Sequence, residues 1–346
     1  MSLLLRKRLL RTLGDPVHAR RPKVAIVGTR FPDFDVELEM LGDVELSSGP
    51  GRNQAEILEV ATGADVILAG AAPVFDAETL EALGCRAIVR LGVGVDTVDL
   101  GAARRLGMWV ANVPDYGTDA VALHTVTLIL ACLRRLTQAD RQMRDGSWGV
   151  SSLRPLYLPT SRTVGVVGLG RIGRRVATML SGVGFERFLV VEPAFEPTDL
   201  KAALGNLNAR LVGLPELLGG ADIVTLHAPP ETDGYLLGPD QLRLMRPGSI
   251  LANTARGALI DTLALVAALA EGRPAMAALD VFEREPPDVT EFESVSDRVI
   301  LTPHMSWYTE ESELALRRQA AAEVHRILQS KSPLHPVVTP AGAEVG

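Results

Sequence analysis

The apolar positions of this chain fall into short β-branched runs separated by longer stretches in which they recur at helical spacing. From Lys23 onward, runs at Val24 to Val27, Val66 to Ala69, Ala87 to Leu91 and Trp109 to Asn112 predict strands. Between them, Gln54 to Ala61, a segment opened by Asp76 as an N-cap, and Val98 to Leu106 stopped by Gly107 predict helices. Strands that alternate with helices are joined by crossovers, so this order predicts a small α/β domain with a parallel sheet. Thr118 to Leu136 reads as one long amphipathic helix, and the Gly-, Ser- and Pro-rich segment Asp145 to Pro159 as a linker. A second alternation then predicts six strands of a doubly wound sheet: Thr163 to Val167, Phe188 to Glu192, Ile223 to Leu226, Ser249 to Asn253, Ala275 to Asp280 and Val299 to Leu301. A last helix is expected over Glu310 to Gln329, before a tail whose Pro333, Pro336 and Pro340 cannot continue it.

Composition narrows the partner more than the fold. With 346 residues, 47% hydrophobic and 22% charged, the chain can bury the cores of two domains. A formal charge of −7 offers no overall field for nucleic acid or an anionic membrane, which leaves a small molecule as the better partner. Cys85 and Cys132 each sit in an apolar segment with no second Cys or His at ligand spacing, so neither a disulfide framework nor a metal site is expected. Reduced thiols fit a cytoplasmic protein. The most apolar stretch, Val121 to Cys132, is interrupted by His124 and two threonines, and no membrane span is expected. Residues 1–21 are basic, with Asp15 as the one acid, and read as a frayed or domain-docked leader.

Candidate chemistry begins at Gly168-Leu169-Gly170-Arg171-Ile172-Gly173, which follows a β-branched run and opens the helical stretch Arg174 to Met179. That context is what a dinucleotide fingerprint requires. Gly168 permits the tight turn, Gly170 lets backbone approach a pyrophosphate, and Gly173 lets helix pack on strand, while the N–H groups of Arg171 and Ile172 face the phosphates. Glu192, nineteen residues beyond Gly173, can accept from both hydroxyls of an adenine ribose. With no cation in Pro193-Ala194-Phe195 to neutralise a 2′-phosphate, the expected cofactor is NAD rather than NADP.

Three polar residues end apolar segments of the second alternation: Arg256, Glu285 and His304. Reducing a 2-oxo acid needs a cation for the carboxylate, an acid for the carbonyl oxygen, and a group that keeps that acid protonated. Arg256 offers a planar fork, His304 can donate a proton near neutral pH, and Glu285, bonded to the other ring nitrogen, would fix its tautomer.

At these residues the chain resembles the D-2-hydroxyacid dehydrogenase family, and within it the C-terminal-binding-protein-like branch. The resemblance runs from about Val66 to Gln329. It rests on Val89-Arg90-Leu91-Gly92-Val93-Gly94-Val95-Asp96, Asn112-Val113-Pro114-Asp115-Tyr116-Gly117-Thr118, the glycine fingerprint, Asn253-Thr254-Ala255-Arg256-Gly257, Ala278-Leu279-Asp280-Val281-Phe282-Glu283-Arg284-Glu285-Pro286 and Thr302-Pro303-His304-Met305-Ser306-Trp307-Tyr308. It implies two Rossmann-like or flavodoxin-like doubly wound α/β domains. A substrate domain would take residues 1–115 and 310–346, with a NAD-binding domain, 116–309, inserted in it and the active site in the cleft. It also implies a homodimer, and a small 2-oxo or 2-hydroxy acid as substrate.

Residue by residue, Arg256, Glu285 (rather than Glu283) and His304 match the family's catalytic trio. Thr254, Ala255 and Asp280 match cofactor positions, Asp280 the one that binds the nicotinamide amide. The backbone of Val93 and Gly94 matches the loop that holds the substrate carboxylate, and Arg90 and Trp307 match pocket-lining positions. Leu123, Ser161 and Gly234 depart from common family residues, which bears on subgroup rather than reaction. Phosphoglycerate dehydrogenase is disfavoured as an assignment, since no regulatory domain follows residue 330 and Ala71-Ala72-Pro73 lacks a cation for a phosphate. Formate and phosphite dehydrogenases are disfavoured too, the latter because Leu91 stands where that enzyme has lysine. The branch leaves a second reading open, an NAD(H)-sensing, corepressor-like protein that binds short peptides.

Overall fold

The computed structural model describes residues 20–29, 31–230 and 234–342, so the basic leader expected over residues 1–21 lies outside the described residues except for its last two. The chain divides into two compact units, Met1–Tyr116 with Glu310–Gly346, and Gly117–Thr309.

The first unit begins β1 (Lys23–Val27), α1 (Asp35–Leu41), β2 (Glu45–Gly49), α2 (Gln54–Ala61), β3 (Val66–Ala69), α3 (Ala77–Leu83), β4 (Ala87–Arg90), α4 (Leu100–Arg105) and β5 (Trp109–Ala111). Its inner strands are apolar on both faces because helices cover both sides of a parallel sheet. Each of α2, α3 and α4 is opened by a side chain that accepts from the third amide beyond it: Asn53 from Glu56, Asp76 from Thr79, and Asp99 from Ala102. The cap at Asp99 explains why α4 starts later than the expected Val98.

The second unit runs α5 (Thr118–Leu133), α6 (Leu136–Arg144), β6 (Thr163–Val167), α7 (Arg171–Gly182), β7 (Arg187–Val191), α8 (Pro197–Leu204), β8 (Ala209–Leu211), α9 (Leu214–Gly220), β9 (Ile223–Leu226), α10 (Pro239–Leu244), β10 (Ile250–Asn253), α11 (Thr262–Ala270), β11 (Met276–Leu279) and β12 (Val299–Leu301). All pairings in this sheet are parallel, in the order β12-β11-β10-β9-β6-β7-β8. The order reverses between β6 and β9, the point at which doubly wound sheets open a crevice beyond their carboxyl ends. Alternate residues feed two cores: Val164, Val166, Ala252 and Ala278 face one, and Val167, Val224, Leu251 and Ala277 the other.

The chain then closes the first unit with α12 (Glu310–Leu328) and β13 (Pro336–Val338). The first sheet thus has the order β13-β5-β4-β3-β1-β2, with β13 antiparallel to β5. Arg317 of α12 ties the chain's end to α1: its guanidinium donates to both carboxylate oxygens of the buried Glu37, at 3.0 and 2.7 Å, and lies over the ring of Phe31. A planar fork on a carboxylate is the geometry that makes a buried ion pair tolerable.

Several expectations are corrected. The single helix over Thr118 to Leu136 is two, broken at Arg135, whose backbone is left-handed (φ 49°), and bent by 58°. The break falls where the apolar sequence of α5 gives way to a polar one, and α6 buries no residue. The supposed linker Asp145 to Pro159 joins α6 to β6 inside the second unit, with a short 3-10 turn at Ser151–Leu153. Among the described residues the second sheet has seven strands rather than six, because β8 was not foreseen. The overlooked strands β2, β8 and β13 all lie at sheet edges, where polar residues and even Pro336 are tolerated since one side needs no ladder. No single described helix is long and apolar enough to cross a membrane.

Candidate active site

The fingerprint glycines stand where backbone crowding demands them. Gly168 has φ +88°, and a Cβ there would lie 2.6 Å from the carbonyl carbon of His227. A Cβ at Gly173 would lie 2.2 Å from the carbonyl oxygen of Gly168, so the first turn of α7 packs directly on the turn that precedes it. At Gly170 the opposite holds: a Cβ would meet no described atom within 4 Å, and the residue is exposed. Gly170 is the N-cap of α7 and supplies no capping side chain, and the twelve-residue helix has no acid in its first turn. The positive end of the helix therefore faces open space.

Arg171 is exposed, Ile172 half-buried and Gly173 buried. Glu192 follows β7, and its carboxylate turns to the glycine turn: Oε2 accepts from the amide of Leu169 at 2.8 Å. An open helix end beside a carboxylate fits the diphosphate and ribose of a dinucleotide. The sequence showed no cation in residues 193–195, but the fold brings one there, since the guanidinium of Arg174 lies 5.4 Å from the ring of Phe195. Beneath the turn, Nε2 of the half-buried His227 lies 2.9 Å from the hydroxyl of Thr225, and desolvation pushes its pKa down to about 3, which keeps it neutral.

The loop after β10 is shaped by Asn253. Its side chain donates to the carbonyl of Arg256 at 2.8 Å and accepts from the amide of Ala255 at 3.0 Å, closing the turn that presents Arg256. Thr254 is buried, with its hydroxyl 2.7 Å from that of Thr125 on α5. Gly257 has no room for a side chain, because a Cβ would stand 1.9 Å from the carbonyl carbon of Phe282. The Arg256 loop and the loop leading to Glu285 thus touch backbone to backbone.

Glu285 accepts from the amide of Phe282 at 3.1 Å through Oε1, and its Oε2 lies 2.7 Å from Nδ1 of His304. Burial alone would raise the carboxyl pKa, but the hydrogen bond and charge of His304, the Phe282 amide and the charge of Arg256 together hold it below its ordinary value. Glu285 is accordingly an anion at neutral pH, and Nδ1 of His304 is the donor. Nε2 remains uncommitted to Glu285, and the two side chains are 40% and 37% exposed, enough for a small molecule to reach them. Glu283, the rejected neighbour, instead accepts from the amide of Thr262 at the start of α11. The structure therefore brings Arg256, Glu285 and His304 together.

His304 adopts φ +50°, a left-handed conformation that side chains other than glycine's seldom take. Its amide donates to the carbonyl of Asp280 at 2.9 Å. The Asp280 side chain is fully buried, with Oδ1 accepting from the hydroxyl of Thr302 (2.6 Å) and the amide of Met305 (2.9 Å), and Oδ2 from the amide of Ser306 (2.9 Å). The resemblance assigns Asp280 to the nicotinamide amide; in this structure the partners of its carboxylate are those of the segment that carries His304. Trp307 is half-buried, edge-to-face with Tyr308 at 5.6 Å.

In the first unit, the loop after β4 turns at Gly92 (φ +144°), where the guanidinium of Arg90 folds back and donates to the carbonyl of Leu91. Val93 is exposed, its carbonyl accepting from the Asn112 side chain at 2.6 Å, and Gly94 is half-buried. Among the described residues no group of three or more His, Cys, Asp or Glu could hold a metal ion. Sequence reading missed Asn253 and Thr302, whose one signal was their place at a strand's end, and took His124 only as an interruption of an apolar run.

The family model for the D-isomer specific 2-hydroxyacid dehydrogenase NAD-binding domain matches residues 126–306, just over half of the chain. The chain belongs to this family. The cofactor of this domain is NAD. A D-3-phosphoglycerate dehydrogenase from Methanocaldococcus jannaschii is 36% identical over 313 residues, covering 89% of this chain but only 58% of the relative. A glyoxylate reductase from Aeropyrum pernix is 34% identical over 325 residues, covering 91% of this chain and 95% of the relative. Among solved structures, D-lactate dehydrogenase from Aquifex aeolicus in complex with NAD and lactic acid superposes with a TM-score of 0.80 at 26% identity, over 92% of this chain and all of the other. The chain spans 50 to 58% of the length of these phosphoglycerate dehydrogenases. None of these relatives is named for the corepressor branch.

Proposed function

We propose that this chain is an NAD-dependent reductase of small 2-oxo acids, interconverting them with D-2-hydroxy acids. The observation that carries the reading is the His304–Glu285 hydrogen bond beside the Arg256 loop, at the carboxyl end of the sheet that bears the glycine turn. The dinucleotide, when bound, supplies or accepts the hydride. His304 holds the proton destined for the carbonyl oxygen at Nε2, since Nδ1 is engaged by Glu285. Anionic Glu285 fixes that tautomer and balances the imidazolium. Arg256 offers its fork to the substrate carboxylate and carbonyl oxygen. The amides of Val93 and Gly94 are assigned to the same carboxylate, and Arg90 and Trp307 to the substrate's variable end.

On the coenzyme side, Gly168, Gly170, Arg171, Ile172 and Gly173 are assigned to the diphosphate, Thr254 and Ala255 to the dinucleotide's far half, and Glu192 to the adenine ribose. The Glu192 carboxylate favours NAD over NADP by opposing a 2′-phosphate. For the substrate we favour a small unphosphorylated 2-oxo acid such as glyoxylate, supported by the near full-length match to a glyoxylate reductase and by the absence of a cation in Ala71-Ala72-Pro73. The peptide-binding, corepressor-like reading and its branch are less well supported, because the named relatives are metabolic enzymes.

We also propose a homodimer formed through α6 and the segment after it, where Leu136, Met143, Val150 and Leu158 are exposed and Trp148 is 88% exposed, an apolar surface that a second copy would cover. A cytoplasmic location is in keeping with Cys85 and Cys132, both free, buried and with pKa pushed up to about 12. The test is NADH consumption with glyoxylate, hydroxypyruvate, pyruvate and 4-methylthio-2-oxobutyrate. Turnover of at least one is expected, and none in a folded, NADH-binding sample counts against the reading.

A further inference from the structure

We propose that His124 is a positioning residue for the reaction, acting through Thr302 and Asp280 on the backbone that carries His304. Its kinetic consequence rests on the reductase reading above. Nε2 of His124 lies 3.2 Å from the hydroxyl oxygen of Thr302 and 3.7 Å from Oδ1 of Asp280. The Thr302 hydroxyl has one proton, and it is given to Asp280 at 2.6 Å. The contact with His124 must then be made by an Nε2–H of the imidazole, which fixes its tautomer. A neutral ring is sufficient.

This chain of donors ends on the carboxylate that also accepts from the amides of Met305 and Ser306, while the backbone carbonyl of Asp280 accepts from the amide of His304. The left-handed turn at His304 is therefore pinned on both sides of its own residue. Such a conformation persists where the surroundings over-determine it, and Asp280 is the group that does so. Asp280 is wholly buried, so each donor it keeps compensates a charge withdrawn from water. His124 stands one step further out, donating to the Thr302 hydroxyl rather than to Asp280 itself, and it is supplied from a different element, α5.

The next residue on α5, Thr125, bonds Thr254 at the root of the Arg256 loop. Consecutive positions of one helix thus fasten the two loops that present the cation and the acid. Loss of the His124 donor loosens the segment 302–306 and lets the His304 imidazole leave the 2.7 Å contact with Glu285. Displacements of that size far from the reacting atoms lower turnover without touching binding.

The test compares His124→Gln, whose amide nitrogen reaches about as far as Nε2, with His124→Asn, whose nitrogen falls short at the position of Nδ1. Both are polar, so neither introduces a new apolar surface. Long-range ¹⁵N NMR of the histidine rings, on the full chain without coenzyme, is expected to show His124 as the Nε2–H tautomer. His304 should give one sharp set of signals in the parent and in His124→Gln, and shifted or broadened signals in His124→Asn. With a turned-over substrate, His124→Asn is expected to lose about 10-fold in kcat with a larger solvent deuterium isotope effect and unchanged NADH affinity, and His124→Gln to recover most of it. An Nδ1–H tautomer at His124, or His304 signals and isotope effect unaltered in His124→Asn while its melting temperature falls, overturns the proposal and leaves His124 a packing residue. Should the parent chain reduce no 2-oxo acid, the reductase reading fails, and the ring signals still decide whether His124 positions His304.

Discussion

Nδ1 of His304 meets Oε2 of Glu285 at 2.7 Å, and the same carboxylate is braced from behind by the Phe282 amide. The arrangement orients an acid rather than activating a nucleophile: Nδ1 is occupied, Nε2 is left to exchange a proton, and the anion beside it stabilises the charged ring. Replacing His304 with Asn removes the exchangeable proton but keeps a polar side chain. Turnover is expected to fall roughly 10²- to 10⁴-fold, the usual scale for a lost general acid, with NADH affinity, read by fluorescence titration, nearly unchanged.

Glu285 carries a pH signature. Its pKa in the folded protein lies below the ordinary 4.5, because the His304 bond and charge, the Phe282 amide and Arg256 outweigh burial. A group depressed in this way stabilises the fold above its unfolded pKa, and the contribution disappears as pH falls through the folded value. The stability difference between the parent and Glu285→Gln, measured by denaturant titration, should therefore be largest near neutrality and narrow as pH drops below about 4.5.

Glu192 accepts from the Leu169 amide and would press against a 2′-phosphate at the same place. Glu192→Ala or Glu192→Arg is expected to shift the NADP to NAD preference by about 1–3 kcal/mol, roughly 5- to 150-fold in the ratio of kcat/KM values. Arg174, whose Nε donates to the carbonyl of Leu169 and whose guanidinium lies near Phe195, is the cation on hand for that phosphate. Unchanged selectivity would mean that the ribose lies elsewhere.

Gly257 is a second lever on the same centre. An added methyl would overlap the carbonyl of Phe282, so Gly257→Ala must part the loops that bear Arg256 and Glu285. The expected result is a loss of about 1–3 kcal/mol in stability and a drop in kcat, measured by thermal unfolding and steady-state kinetics. A variant with parental Tm and rate would contradict this packing.

The sequence made the inner strands legible because they are buried on both faces and therefore apolar almost throughout: Val66–Ala69, Thr163–Val167 and Ile223–Leu226 have the expected bounds. Edge strands such as Glu45–Gly49 carry no such pattern, since half their surface faces water. Arg256, Glu285 and His304 could be singled out because each ends an apolar run at the side of the sheet where ligands bind. What linear order could not reveal is who holds them. Asn253, Thr302 and His124 act through hydrogen bonds to residues that the fold, not the sequence, makes neighbours, and the contact of Thr302 with His124 joins positions 178 residues apart. Asp280 shows the same limit, since its burial under the His304 segment follows from the loop's path and from no local pattern.

The most direct measurement follows the hydride itself. Incubated with pyruvate or glyoxylate and NADH deuterated at the transferable C4 position, the chain should yield a 2-hydroxy acid with deuterium at C2, in the D configuration where pyruvate is reduced, and His304→Asn should yield almost none. A folded, NADH-binding sample that transfers no deuterium to any small 2-oxo acid, or an unimpaired His304→Asn variant, would contradict the account.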